Sequence, residues 1–245
     1  MVKIKDIIDL LDKKYPSNLR AKWDFTDGFL EGNPDLDVTE VLVAVELNKE
    51  IVNINSEFLI LHHPPKFGNE KIVTNPFYSQ LKNKPSIYVL HSRIDVSGDI
   101  NKEIAEFCFK DFVIDKILDD GTAIITLKNE MKLSDIIESV KIKLNKKCLK
   151  VIEKKHTIKR IAIHGGEGFN KHHVDKAFKE DIDLYIAGDL AHHLAESAFF
   201  YDLSFIDIEH ISEQIGMKKL ADFLNTKFNG CNFRFLESDS FWRLK

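Results

Sequence analysis

Imidazole and carboxylate side chains follow three apolar runs that are short enough to be buried strands. The groups are His62 and His63 after residues 59–61, His91 and Asp95 after residues 88–90, and His210 and Glu213 after residues 205–208. Open α/β sheets bind their ligands just beyond the carboxyl ends of the strands. Because imidazoles and carboxylates together bind divalent transition metals, these three strand ends predict a metal site.

Each of these residues also has an ordinary structural interpretation. Asp95 is equally suited to capping the following helix or to pairing with Arg93, and Glu213 to being a plain helix residue. Pro64 and Pro65 stop the strand before them, so the two preceding imidazoles project in different directions. That arrangement suits two metal ions, or one metal ion and a substrate. The shared position at strand ends makes the metal site the favoured interpretation.

The ligand types narrow the choice of metal without deciding it. Imidazoles with hard carboxylates suit Fe, Mn, Zn or Ni, and a shared carboxylate suits two divalent ions. No cysteine is close to the three groups in the sequence, which disfavours a structural zinc site built from thiolates.

A pattern of strand, helix, strand, helix and strand occurs twice, which predicts right-handed crossovers and mainly parallel sheets. The expected strands of the first half are 41–45, 58–61 and 86–90, with a helix at 48–55. Those of the second half are 161–163, 184–187 and 203–208, with helices at 172–179 and 191–200. Strands at 122–127 and 148–152 are expected between the halves, around a helix capped by Ser134.

We therefore expect an α/β fold of two related lobes, with a dinuclear metal site in the cleft between them. The expected division is 1–110 for the first lobe, 111–155 for a connecting α/β segment and 156–245 for the second lobe.

Composition predicts a globular protein of the cytoplasm. The chain has 245 residues, of which 44% are hydrophobic and 30% charged, and its net charge of −4 attracts no nucleic acid globally. An odd number of widely spaced cysteines, three, favours a reducing compartment. The first residues have the spacing of an amphipathic helix, with Ile4, Ile7, Ile8 and Leu11 following the helical period, and not that of a signal peptide. No apolar run approaches the roughly 18 residues that span a membrane.

Two further strand ends carry polar motifs. Residues 165–168, Gly-Gly-Glu-Gly, stand where a phosphate-binding turn would, but Glu167 would repel phosphate, so a plain tight turn is favoured. After residues 184–187, Asp189 is expected to cap the next helix, and His192 or His193 is a candidate general base. A Gly-x-Ser-x-Gly elbow and a plausible Cys/His pair are both missing, which argues against covalent acyl transfer.

These motifs resemble those of the GTP cyclohydrolase I type 2 homologues, also called the Nif-three-like family. The matching pieces are residues 22–28, 62–64, 91–95, 165–168, 187–190 with His193, and 210–213. The resemblance implies two related α/β lobes, a dinuclear metal site and assembly into a ring-shaped hexamer. It also implies His62, His63, Asp95 and Glu213 as ligands, with His91 binding the metal or lying beside its ligands.

One departure from the family pattern concerns the last ligand segment. The family has a histidine four residues before the final glutamate, whereas this chain has Glu209 there and His210 one residue later. Either Glu209 replaces the histidine or His210 reaches the metal after a local shift. A shift of one residue on an extended strand turns the side chain to the opposite face, which favours Glu209.

Two classes of function remain open. The first is a dinuclear metal-dependent hydrolase of a small molecule, for which the family name suggests a purine nucleotide and in which His91 or His193 would carry the proton. The second is a ring-forming, metal-binding regulatory or nucleic-acid-binding protein without catalysis. Its phosphate contacts would come from lysines at 146–147 and 154–155, although a solvated face is the favoured interpretation of these lysines.

Overall fold

The computed structural model describes residues 1–65, 77–81 and 83–238 of the chain. Two compact units are present, one made of Met1–Ser97 with Gly216–Asp239 and the other of Gly98–Ile215. These boundaries differ from those expected at residues 110 and 155. They differ because residues 111–155 form strands of the second unit's sheet, and because the last helix and strand belong to the first unit.

The described residues form helices and strands with the following bounds. The α-helices are α1 (Ile4–Lys14), α2 (Lys49–Val52), α3 (Ser92–Ser97), α4 (Asp99–Cys108), α5 (Leu133–Lys143), α6 (Lys171–Phe178), α7 (His192–Tyr201) and α8 (Gln214–Lys227). The strands are β1 (Val2–Lys3), β2 (Gly28–Glu31), β3 (Asp37–Val38), β4 (Glu40–Ala44), β5 (Phe58–Leu61), β6 (Ser86–Val89), β7 (Phe112–Ile117), β8 (Ala123–Lys132), β9 (Lys150–Ile152), β10 (Thr157–His164), β11 (Leu184–Ala187), β12 (Ser204–Asp207) and β13 (Asn232–Phe235). Single 3₁₀ turns span Ser17–Leu19, Tyr78–Gln80 and His210–Glu213.

The first unit is built on a five-stranded sheet of order β13-β4-β5-β6-β2. Its first four strands are parallel and β2 is antiparallel at the edge. The pairings of Ala44 with Leu61, and of Leu61 with Val89, bring β4, β5 and β6 to an end at one edge. The apolar residues of β5 are buried throughout, as a parallel strand covered on both faces requires. The side chains that follow β5 and β6 therefore start from the same edge.

The second unit is built on a six-stranded sheet of order β7-β8-β10-β11-β12-β9. Only β10, β11 and β12 are mutually parallel in it, and the outer pairings are antiparallel. The expectation of a mainly parallel sheet therefore holds for the first unit and is wrong for the second. The reason is that an apolar run predicts a buried strand without predicting its direction, and the short turn between β7 and β8 makes a hairpin.

The helices confirm most of the sequence pattern, with one local exception. Ile4, Ile7 and Leu11 of α1 are fully buried, as their spacing predicts. Helix α5 begins one residue before Ser134, and Lys132 occupies the capping position, so the expected cap is wrong. Across the described ranges, the helices are too short or too polar to cross a membrane.

Candidate metal centre

His62 and His63 extend the ladder between β4 and β5 by two residues. The His62 N–H donates to the Ala44 carbonyl at 3.0 Å, and the His63 N–H donates to the Val45 carbonyl at 2.6 Å. Pairing of the backbone fixes both residues in extended geometry, so their side chains leave the strand in different directions. The structure thus places both histidines at the carboxyl edge of the first unit's sheet, as the sequence predicted.

The ring of His62 is oriented by a backbone carbonyl. Its Nδ1 lies 2.9 Å from the carbonyl oxygen of Leu90, in a side chain that is fully buried. Because a carbonyl can only accept a hydrogen bond, Nδ1 carries a proton, and Nε2 is the ring nitrogen left to bind a metal ion. That Nε2 lies 3.7 Å from Oδ1 of Asp95 in α3. An imidazole nitrogen beside a carboxylate is a donor pair that divalent metal ions bind.

Three imidazoles gather at this edge of the first unit. The ring centroids of His62, His63 and His91 lie 4.8 to 5.7 Å apart, and one nitrogen from each lies within 4.8 Å of the other two. Glu46 adds a carboxylate oxygen 3.7 Å from His63 Nδ1. Asp95 lies in the first turn of α3, shortly after His91. It does not occupy the N-cap position of α4, and Arg93 pairs with Asp27 instead of with Asp95.

Asp24, which lies in the matched segment 22–28, is a buried carboxylate beside His91. Its Oδ2 lies 3.0 Å from Nδ1 of His91, a charge contact poorly aligned for a hydrogen bond, and accepts the Ser92 N–H at 3.2 Å. Burial alone would raise the pKa of Asp24, but the contacts with His91 and Ser92 hold that pKa well below its usual value. The ionised carboxylate therefore orients His91 and favours a proton on its Nδ1.

Arg93 fixes the segment that carries Asp24. Its guanidinium donates to Asp27 at 2.6 Å, to Asp12 at 2.7 Å and to the Tyr88 hydroxyl at 2.6 Å. Burial alone would lower the pKa of Arg93, but the two carboxylates raise it instead, so the charge is permanent. Only the match of residues 22–28 to the family motif pointed to this arrangement, because the partners of Arg93 lie 66 and 81 positions away in the sequence.

A second ligand-type group lies in the second unit, beyond β11 and β12. His210 Nδ1 lies 2.5 Å from Oδ2 of Asp189, and His210 Nε2 lies 3.4 Å from Oε2 of Glu213. The Asp189 carboxylate accepts the Nδ1 proton and leaves the lone pair on Nε2, on the side of Glu213. The expectation that Asp189 caps α7 is wrong: Ala191 occupies that position, and Asp189 turns away through a positive φ of 65°.

The glycine turn at 165–168 makes room for Glu213. A Cβ on Gly166 would come within 1.8 Å of Glu213 Oε1, and its φ of +62° is one that other residues rarely adopt. Gly165 donates its N–H to Asn101 Oδ1 at 2.7 Å, which holds the turn in place. This close approach explains the glycines as a tight turn packed on a carboxylate, the interpretation favoured from the sequence.

The backbone at Glu209 is not the extended strand from which Glu209 was favoured as a ligand. Strand β12 ends at Asp207, and Glu209 has a φ of 64°, so the alternation of an extended strand stops before it. Its Oε2 accepts from Lys146 Nζ at 2.7 Å. His210, one residue later, is the side chain beside Glu213. The extended backbone that favoured Glu209 over His210 is therefore absent, and His210 becomes the favoured ligand candidate.

The donor atoms fit divalent metal ions in each unit taken by itself. The first unit offers the buried Nε2 of His62 beside Asp95, and the second offers Nε2 of His210 beside buried Glu213. Both imidazoles have their other nitrogen held by an oxygen acceptor, the arrangement that usually supports a metal-binding histidine.

A model of the Duf34/NIF3 family, described as NGG1p interacting factor 3, matches residues 2–240. The chain belongs to the Duf34/NIF3 family. Two similar proteins, both named GTP cyclohydrolase 1 type 2 homolog, come from Campylobacter jejuni and Methanothermobacter thermautotrophicus. The first is 29% identical over 217 residues, covering 87% of this chain and 88% of the relative. The second is 26% identical over 226 residues, covering 90% and 88%.

Solved structures confirm the fold of this Duf34/NIF3 member. A Staphylococcus aureus protein is 22% identical, with a TM-score of 0.87 over 100% of this chain and 99% of its own. A Bacillus cereus protein related to NIF3 is 18% identical, with a TM-score of 0.84 over 99% of each chain. At these identities the likeness establishes a mixed α/β fold.

The remaining histidine and lysine candidates from the sequence lie outside the two ligand-type groups. His192 and His193 are exposed in the first turn of α7. Among the lysines proposed for phosphate contacts, Lys155 and Lys154 lie 2.8 and 4.0 Å from carboxylate oxygens of Asp202. Because these lysines already contact a carboxylate, they favour a solvated face over a nucleic-acid surface.

Proposed function

We propose that the protein is a dinuclear metal-dependent hydrolase of a small molecule. Two divalent ions, Fe, Mn, Zn or Ni, would be held by His62, His63 and Asp95 of the first unit and by His210 and Glu213 of the second. The observation that carries the proposal is the buried His62 ring, whose Nδ1 is held by a carbonyl while Nε2 points at a carboxylate. Burying an imidazole with its lone pair directed at an anion is costly unless a cation lies between them.

When bound, two such ions lower the pKa of a water molecule and polarise the oxygen of the bond to be cleaved. The chain's own contribution is to move the proton. His91 has Nδ1 against the ionised Asp24, so its Nε2 is the nitrogen that takes up and gives back a proton. Asp24 stabilises the positive charge that His91 acquires, as a carboxylate does beside an imidazole. His193 stays a second candidate for this role.

The substrate class is proposed from the relatives' name together with the chemistry of the donors. Both relatives are named after GTP cyclohydrolase, so purine nucleotides are the first compounds to test. Phosphoesters and amides of small molecules have the same requirement for a polarised oxygen and an activated water, so they form the second group.

The proposal is tested by metal content and turnover on one set of variants. His62→Ala with His63→Ala should lower metal per chain, measured by mass spectrometry, while circular dichroism shows that the variant stays folded. His156→Ala, an exposed histidine outside both groups, is the matched control and should keep its metal. Hydrolysis should stop on chelation and return with added metal. Full metal content in the double variant would refute the assignment, and loaded protein that hydrolyses none of the compounds would refute the activity alone.

We also propose a homo-oligomeric ring, of which the family resemblance suggests a hexamer. Exposed aromatic side chains support association, since Phe199 is 67% and Phe200 82% exposed on α7. Light scattering should give a mass several times that of one chain, and a monomer mass at micromolar concentration would remove the proposal.

A further inference from the structure

Three ligand-type side chains of the second unit meet outside the set proposed above. They are Asp120 in the turn between β7 and β8, His164 at the end of β10 and His173 in the first turn of α6. One donor atom from each lies within 4.8 Å of those of the other two. Asp120 lies 53 positions before His173 in the sequence, so only the fold brings it to the two histidines.

Hydrogen bonds hold the group in a defined arrangement. His173 Nδ1 lies 2.8 Å from Oδ2 of Asp120, and His164 Nδ1 lies 2.8 Å from the hydroxyl of Thr122. The two imidazole rings are 4.0 Å apart between centroids and tilted by 33°. The Asp120 side chain is 6% exposed and that of His173 is 20% exposed, so solvent reaches the group from the side of His173.

The charges of the group favour a cation. Burial alone would raise the pKa of Asp120, but hydrogen bonds from His173 and Thr122 keep it well below its usual value, so the carboxylate is ionised. Burial lowers the pKa of His164 to about 3, which leaves this imidazole neutral with a lone pair. The nearby cation is Lys176, whose Nζ lies 3.8 Å from Asp120 Oδ2 but closer, at 2.6 Å, to Oδ1 of exposed Asp119.

We propose that Asp120, His164 and His173 bind a divalent transition-metal ion such as Zn²⁺, Fe²⁺ or Co²⁺. Two imidazoles and one carboxylate are a donor set that such ions bind. With metal–ligand bonds of about 2.0 to 2.2 Å, tetrahedral donor atoms lie about 3.3 to 3.6 Å apart. That spacing lies between the 2.8 Å of the present His173–Asp120 contact and the 4.8 Å limit of the group.

Binding requires small, balanced changes at the ligands. The metal takes the place of the proton on His173 Nδ1, and that imidazole carries its proton on Nε2 instead, so it stays neutral. Water supplies the remaining position from the exposed side of His173. This site rests on contacts within the second unit and does not depend on the hydrolase proposed above.

The experiment uses Co²⁺ as the probe in the full chain carrying His62→Ala, His63→Ala and His210→Ala, which removes ligands from both groups of the proposed hydrolase site. We expect Co²⁺ to remain bound in this background, by equilibrium dialysis and by the visible absorption of Co²⁺ with nitrogen and oxygen ligands. Adding His173→Gln should weaken binding at least about tenfold, since replacing even a supporting group of a metal ligand costs about 10- to 100-fold. His156→Ala in the same background should change nothing.

Two charge variants should change the affinity for Co²⁺ in opposite directions, which a merely structural role of these residues would not produce. Lys176→Met removes the cation that competes for Asp120 and should tighten Co²⁺ binding. Asp119→Asn frees Lys176 to move onto Asp120 and should weaken it. Thermal unfolding of each variant shows whether it is folded. The proposal is overturned if the background takes up no Co²⁺, or if His173→Gln binds it as tightly as its parent.

Discussion

Separate substitutions of the adjacent residues Glu209 and His210 give the sharpest test of the second unit's ligand group. We predict that His210→Ala lowers metal affinity while Glu209→Ala leaves it unchanged. The structure places His210 Nε2 3.4 Å from Glu213, whereas the Glu209 carboxylate accepts from Lys146 at 2.7 Å. This is the reverse of the order that the sequence pattern suggested.

The magnitudes follow from what each side chain contacts. Removing His210 deletes a nitrogen ligand, so the loss should be at least about tenfold in affinity, about 1.4 kcal/mol. Removing Glu209 deletes an ion pair whose side chains are 16% and 26% exposed. After solvent screening such a pair is worth about 1 kcal/mol or less in unfolding free energy. Glu209→Ala should therefore lower stability slightly and metal content not at all.

The assay measures metal affinity by competition with a chromogenic chelator and stability by urea unfolding of the metal-free protein. Lys146→Met is the matched control for Glu209→Ala, because it removes the other half of the same ion pair. In a double-mutant cycle the two changes should be less than additive. Loss of metal in Glu209→Ala, with normal affinity in His210→Ala, would refute the assignment and mean that the turn differs from the one described.

Three further outcomes are expected. Asp24→Asn should lower hydrolysis about 10- to 100-fold at unchanged metal content, because a neutral amide no longer orients His91 or stabilises the positive charge it acquires; equal turnover would contradict that positioning role. Gly166→Ala should destabilise the protein by at least about 1 kcal/mol in denaturant unfolding and displace Glu213, because a side chain there needs a left-handed backbone and meets a carboxylate oxygen at 1.8 Å. Cys148 alone should react with a thiol reagent at pH 8, because it is exposed while burial raises the pKa of the other two cysteines; labelling of all three before unfolding would contradict it.

The strands and the ligand types were predictable because both are local properties of the chain. The apolar runs before His62 and His91 have no polar alternation, which is typical of strands buried on both faces, and β5 and β6 confirm them. Strand direction was not predictable in the same way. Residues 122–127 and 148–152 were expected as strands, but their antiparallel pairing depends on partners chosen across the sheet.

The support for the ligands was also hidden from the sequence. Asp24 contacts His91 across 67 positions, and Asp27 contacts Arg93 across 66, so neither spacing follows a helix or a strand period. Burial with an ionised partner is what distinguishes Asp24 from an ordinary loop aspartate. A sequence shows which residues can be charged, whereas only the fold shows which charges are held out of water.

The choice between Glu209 and His210 depended on one backbone angle. In an extended chain neighbouring side chains face opposite ways, so only one of the two residues could lie beside Glu213. A φ of 64° at Glu209 breaks that alternation. The turn lies against Gly188, where a Cβ would come within 2.8 Å of the Glu209 carbonyl carbon. Gly188 lies 21 positions before Glu209, so the local pattern around residue 209 held no sign of the turn. Replacing Gly188 by a residue with a side chain should therefore displace His210, although the two residues are distant in the sequence.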